Sequence, residues 1–231
     1  EIIDICRQVW RRERVEHHGP SYDLPLPEDQ GTGLGKPLKL INHPVRESIP
    51  VYIASLGPKN VEMTAEIADG WIPVFFHPDK ARDVWGADLD AGLAKRDAGM
   101  PPLNVVAGGS LCITDDDDFA GKVRDGGRFA TALYVGGMGA KGKNFYNNIF
   151  RKYGYEDAAE QIQDLFLSGK KDEAMAAVPQ EFLDATALVG PEGHVRERIE
   201  AYRTAGVTHL AITPAGSDHL GQVERVKGWL S

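Results

Sequence analysis

Apolar positions along the chain fall into short runs separated by stretches of helical period. Val51 to Leu56 is one such run, bounded by Pro50 and Gly57-Pro58, which is the form of a buried parallel strand. Pro58 suits the first helical position, where its missing N–H costs nothing. Val61, Thr64, Ala65 and Ala68 then fall at i, i+3, i+4 and i+7 on one face. Asp69-Gly70 ends this helix and Trp71 to Phe76 opens the next apolar run, so residues 51–76 predict a strand, a helix and a parallel strand. Leu103 to Thr114 reads as a third strand, in which Gly108-Gly109 predicts a bulge or the close approach of another backbone. Thr208 to Thr213 reads as the fourth. Helical periodicity covers residues 79–98, 119–131, 156–169, 171–178, 179–188, 194–205 and 222–230, with Tyr134 to Gly139 as a glycine-rich loop and no strand expected between Glu156 and Leu188. Strands alternating with helices predict an α/β fold with a parallel sheet, open or part of a barrel.

The first fifty residues are patterned differently. Ile2, Ile5, Cys6, Val9 and Trp10 share a helical face in a segment expected to run to about Arg14. It begins without a capping residue, from which we expect further chain upstream. Val15 to Pro50 is rich in glycine and proline; a structureless stretch of that length is unusual, so short strands such as Leu38 to Ile41 are expected within it.

A net charge of −8 over 231 residues gives no electrostatic footprint for nucleic acid or an anionic membrane, and both are excluded as expected partners. No apolar run approaches the roughly 20 residues of a membrane span, so a cytoplasmic location is the expectation. Cys6 and Cys112, each in an apolar run, are expected to be free thiols. His17, His18 and His43 lack metal-ligand spacing, and Asp115 to Asp118 reads as a helix start, with its carboxylates complementing the dipole. Lys141 to Tyr155 mixes basic and aromatic residues, the composition of a small-molecule pocket wall or of core aromatics.

Candidate chemistry concentrates in Ser55-Leu56-Gly57-Pro58-Lys59-Asn60. It places a hydroxyl, a glycine, a helix N-terminus and a cation at the carboxyl end of a strand, a set suited to phosphate or carboxylate. It is neither a Walker loop nor a GxGxxG fingerprint, and a plain strand-to-helix turn has the same composition.

Four segments, EIIDICRQVWRRERVEHHGPSYDLPLP, IPVYIASLGPKNVEMTAEIADGWIPVFF, NFYNNIFRKYGYEDAAEQIQDLFLSGKKDEA and ALVGPEGHVRERIEAYRTAGVTHLAI, resemble in order the bacterial luciferase-like oxidoreductases, in their F420-dependent branch. The resemblance implies a single luciferase-like (β/α)8 TIM-barrel domain of which residues 1–231 hold the C-terminal half. Residues 51–56, 71–76, 103–113 and 208–213 would be strands five to eight, and the family's insertion would fall at about 115–189. It further implies coenzyme F420, or alternatively FMN, with its phosphate end near Ser55, Leu56, Gly57, Pro58 and Lys59, and with Trp71, Ile72 and Pro73 beside it, core packing being the alternative for these three. The implied activity is hydride transfer between reduced F420 and a small organic substrate; the alternatives are an FMN-dependent monooxygenase and a non-catalytic flavin-binding protein. No catalytic residue carries over, no metal is implied, and unpaired sheet edges make a homodimer the expected assembly.

Overall fold

The computed structural model describes residues 1–230, which form two compact units, residues 1–51 and 52–230. In the first, α1 (Ile2–Trp10) carries the predicted apolar stripe but ends earlier than Arg14; Arg12 has a positive φ of 56° and turns the chain away. β1 (His17–His18) and β2 (Asp23–Leu24) form a small antiparallel ladder, tied across by His18 Nδ1 and Asp23 Oδ1 at 2.5 Å. The strand expected at Leu38 to Ile41 is reduced to one antiparallel bridge, Val15 with Leu38. The carbonyl of Leu40 is taken by the Arg12 side chain at 3.3 Å instead of by a neighbouring strand. No residue of this unit is buried, and Ile5, Val9, Val15, Leu24, Leu34 and Leu38 line an apolar cavity of about 520 Å³ within it.

The second unit is built on a five-stranded parallel sheet. Its elements in order are β3 (Tyr52–Ile53), α2 (Pro58–Ile67), β4 (Gly70–Trp71), α3 (Ala81–Leu93), β5 (Asn104–Ile113), α4 (Asp117–Asp125) and α5 (Arg128–Ala132). A π-helical turn at Leu133–Gly137 follows, then α6 (Phe145–Lys152), α7 (Glu156–Leu167), α8 (Lys171–Ala176), α9 (Gln180–Thr186), β6 (Leu188–Gly190), α10 (Glu192–Thr204), β7 (His209–Pro214) and α11 (His219–Leu230). The four strands read from the sequence lie side by side in the expected order β3, β4, β5, β7, and all their pairings are parallel.

Five local expectations are corrected. The first strand, expected over 51–56, keeps only Tyr52–Ile53, because the Ser55 and Leu56 carbonyls are taken by the Trp71 and Trp85 indoles. The second strand, expected over 71–76, stops at Trp71, because Phe75 has a φ of 56° and swings the chain off the sheet. A strand does interrupt the helices before Glu192: β6 pairs Leu188, Val189 and Gly190 with Leu111, Cys112 and Ile113. The helix expected to reach Leu188 therefore ends at Thr186. Tyr134 to Gly139 is not a plain loop, since the wide π-helical turn continues α5 and sets Gly136 and Gly137 against Phe166. Asp116 caps α4 by accepting from the Phe119 N–H at 2.9 Å, as its sequence position predicts.

β5 serves two neighbours on one edge. β4 runs beside Asn104 and Val105 and β6 beside Leu111 to Ile113, so residues 106–110 have no strand partner there, while the other edge pairs continuously with β7. At Gly108 an added Cβ would stand 2.0 Å from the Ala211 carbonyl, and at Gly109 it would stand 2.4 Å from that of Thr186, the close backbone approach anticipated for this pair.

The two faces of the sheet differ. Trp71, Val105, Ala107, Leu111, Leu210 and Ile212 join the core beneath the helices, with Trp71 edge-on to Trp85 at 5.3 Å between ring centroids. The alternate residues His209, Ala211 and Thr213 are exposed, as are Tyr52, Ile72 and Val74. Cys6 and Cys112 are free thiols, and Cys112 is buried.

Candidate functional site

The turn after β3 is held from the helix-covered side by two indoles. Trp71 Nε1 donates to the Ser55 carbonyl at 2.9 Å and Trp85 Nε1 to that of Leu56 at 3.1 Å, so both carbonyls beyond the strand are paired without a ladder. Trp71 is wholly buried and supports the turn through this bond.

Gly57 is the N-cap of α2, with φ −78° and ψ 148°, and its carbonyl accepts from both Asn60 N–H at 3.0 Å and Val61 N–H at 2.9 Å. Pro58 has no N–H to offer. The Lys59 amide is thus the first-turn donor that has no acceptor among the described residues, and it stands at the positive end of the helix beside an exposed ammonium. Ser55 is differently disposed: Thr64 Oγ1 donates to the Asn60 carbonyl at 2.6 Å, which makes Ser55 Oγ the donor in its 2.8 Å bond to Thr64. That hydroxyl is buried and engaged in fixing the helix start. Pro73 is buried and Ile72 exposed, and the Ile72 N–H donates to the Ile53 carbonyl at 3.0 Å. The loop after β4 therefore begins beside the end of β3.

Sequence reasoning assigned no role to the side chain that stands over the turn. A Cβ on Gly57 would lie 3.2 Å from Cε1 of Phe145, the first residue of α6 and itself largely exposed. Asn144 fixes this position: buried, it accepts from the Tyr146 and Asn147 amides at 2.9 and 3.2 Å, and its Nδ2 donates to the Tyr134 and Val135 carbonyls. An Asn before a run of helical period is a recognisable capping signal, but its tie to residues 134–135 is not visible locally. Phe75 completes the arrangement, edge-on to Tyr134, Tyr146, Phe150 and Phe182 at 5.6 to 6.1 Å. The basic and aromatic stretch read from the sequence thus supplies one exposed ring above the turn and several core rings behind it. No cluster of metal-ligating side chains occurs among the described residues, and no helix among them is long and apolar enough to cross a membrane.

Residues 1–209 match the profile of luciferase-like monooxygenases. The chain belongs to this family. It is 41% identical over 225 residues to a Mycobacterium tuberculosis protein named as a coenzyme F420-dependent oxidoreductase, a match covering 95% of this chain and 63% of the relative. It is 29% identical over 233 residues to the 5,10-methylenetetrahydromethanopterin reductase of Archaeoglobus fulgidus, covering 98% of this chain and 63% of that protein. The chain therefore spans somewhat under two thirds of the length of these relatives. Its fold is similar to that of the coenzyme F420-dependent tetrahydromethanopterin reductase of Methanopyrus kandleri, with a TM-score of 0.67 at 23% identity over 97% of this chain and 59% of the other.

Proposed function

We propose that residues 1–231 form the second half of a single (β/α)8 barrel domain, strands five to eight with the excursion that follows strand seven. We further propose that the complete protein transfers a hydride between reduced F420 and a small organic substrate. The strand order, the outer edges of β3 and β7 without a strand neighbour among the described residues, and the exposure of Ile72, Val74, Ala211 and Thr213 are what a half barrel leaves open. Relatives named for F420 support the choice of cofactor.

The observation that carries the site is the first turn of α2. Its donor set fits a phosphate: an amide without an acceptor at Lys59, the helix dipole, an exposed ammonium, and no carboxylate within residues 55–60. Barrel enzymes bind their ligands at the carboxyl ends of the strands, where this turn sits. When bound, F420 supplies the hydride chemistry. Gly57, Pro58 and Lys59 would hold its phosphate, with Ser55 and Leu56 fixing the turn through their paired carbonyls, and Ile72 and Pro73 would flank the cofactor above Trp71. The description of the matching family, luciferase-like monooxygenase, favours a second reading with FMN at the same turn; which reduced cofactor the protein reoxidises separates the two.

Gly57→Val in the complete protein should weaken cofactor binding about tenfold or more, and Lys59→Ala by about 1 kcal/mol or less, as befits an exposed charge near a dipole. Fluorescence titration reads both effects, with circular dichroism as the folding check. Because the new side chain would also press on Phe145, the double variant Gly57→Val with Phe145→Ala is the control: binding should stay weak when the ring is gone. Unchanged affinity in a folded Gly57→Val protein would reduce this turn to a strand-to-helix connection.

A further inference from the structure

His77 follows the bend at Phe75 and is only 2% exposed, yet neither ring nitrogen has a hydrogen-bond partner among the described residues. Unpaired buried polar atoms are costly, so packing rather than pairing holds the imidazole in place. Four elements surround it. From its own loop come Asp79, whose Oδ2 is 3.8 Å from Nδ1, and Lys80; from the link between α6 and α7 come the rings of Tyr153 and Tyr155, at 5.4 and 6.5 Å. α9 contributes Phe182 at 6.2 Å and Glu181, and α10 contributes Arg198.

These neighbours tie the helices between β5 and β6 to the loop after β4. Lys80 Nζ donates to the Tyr153 carbonyl at 2.9 Å, lies 3.5 Å from Glu181 and stands over the Tyr155 ring at 4.3 Å. The Tyr153 hydroxyl donates to the Phe75 carbonyl at 2.9 Å and accepts from the His77 N–H at 3.2 Å. Arg198 donates to Asp79 at 2.8 Å, and the Tyr155 hydroxyl to Glu181 at 3.2 Å.

We propose that His77 is an acid-sensitive pin: neutral, it lets helices α6 to α9 close on the loop after β4, and protonated, it loosens them. The inference goes beyond the F420 reading and does not depend on it. A charged imidazole would face two cations, Lys80 and Arg198, while the carboxylates able to balance it, Asp79 and Glu181, already serve Arg198 and Lys80. Burial, with a smaller opposing influence from Asp79, lowers the His77 pKa from its ordinary value. In the loosened state the ring meets water and titrates near pH 6.5, so that state binds the proton more readily. The closed arrangement is therefore favoured fully above about pH 6.5, and its advantage falls by up to about tenfold per pH unit as the pH drops toward the depressed closed-state value.

Hydrogen–deuterium exchange of the full chain at about pH 7.5 and about pH 5.5, corrected for intrinsic rates, tests this. Peptides from residues 145–186 should lose up to about tenfold protection in acid relative to β5, and His77→Phe should abolish that difference while keeping protection at both values. In the parent protein the His77 ring resonance in NMR should not titrate near pH 6.5. An equal acid loss in His77→Phe would overturn the proposal, as would a His77 resonance titrating at the ordinary value. Should the variant fail to fold, the NMR titration of the parent decides alone.

Discussion

Residues 1–51 and residues 52–230 each contain a helix with an apolar stripe, α1 and α3, and the two stripes reach different ends. α1 is strongly amphipathic, yet it buries no side chain, and Leu34, Leu38, Ile41 and Val45 in the same unit are each at least 75% exposed. In the second unit α3 has a weaker stripe and still buries Trp85 to 1%, among Trp71, Phe76 and Tyr153. The difference teaches that periodicity specifies which face seeks burial, whereas burial itself needs a second surface. Leucines in the first unit have no such surface within the unit, while the sheet of the second supplies one under every helix that crosses it.

Truncation of the second unit's core should break this contrast most visibly. Trp85→Ala removes a buried ring and the donor to the Leu56 carbonyl, and should destabilise the second unit by about 3–5 kcal/mol in urea unfolding, against about 0.5 kcal/mol or less for Leu34→Ala in the first. A comparable loss in both would erase the distinction. Gly92 is the next sensitive point, because there α3 meets α2 so closely that an added Cβ would stand 2.1 Å from the Glu62 carbonyl. Gly92→Ala should cost about 1–3 kcal/mol despite the better helix propensity of alanine, and a stabilised variant by thermal unfolding would show that the helices can separate freely. The smallest effect sharpens the account of the site. Ser55→Ala removes the donor to Thr64 but leaves Thr64 bonded to Asn60, so stability should fall by about 1 kcal/mol, and cofactor affinity in the complete protein should hold. A large loss of affinity would mean that the Ser55 hydroxyl faces the ligand.

Much of the sheet was legible. The bounded apolar runs at 103–114 and 208–213 and the proline and glycine punctuation located two strands, while the runs at 51–56 and 71–76 located the other two in place but not in length, β3 keeping only Tyr52–Ile53 and β4 only Gly70–Trp71. What shortened the latter is the bend at Phe75, whose positive φ is sustained by four rings from Tyr134, Tyr146, Phe150 and Phe182, contacts 59 to 107 residues away that no local window contains. β6 escaped notice because Leu188 to Gly190 is only three residues long and pairs with a strand 77 positions earlier. At the turn, Gly57, Pro58 and Lys59 announced a helix start through their chemistry alone. Phe145 above them did not, since its place follows from Asn144 reaching back to residues 134 and 135.

The shared edge of β5 has a consequence for how this protein can change over time. Because β6 pairs beside the last residues of β5, the excursion from 114 to 187 leaves and re-enters the sheet at neighbouring positions, about one strand spacing apart. Its two ends are thus fastened whatever lies between them. Length and sequence in that stretch can drift without altering the register of β5 with β7, which makes it the part of this frame most open to change.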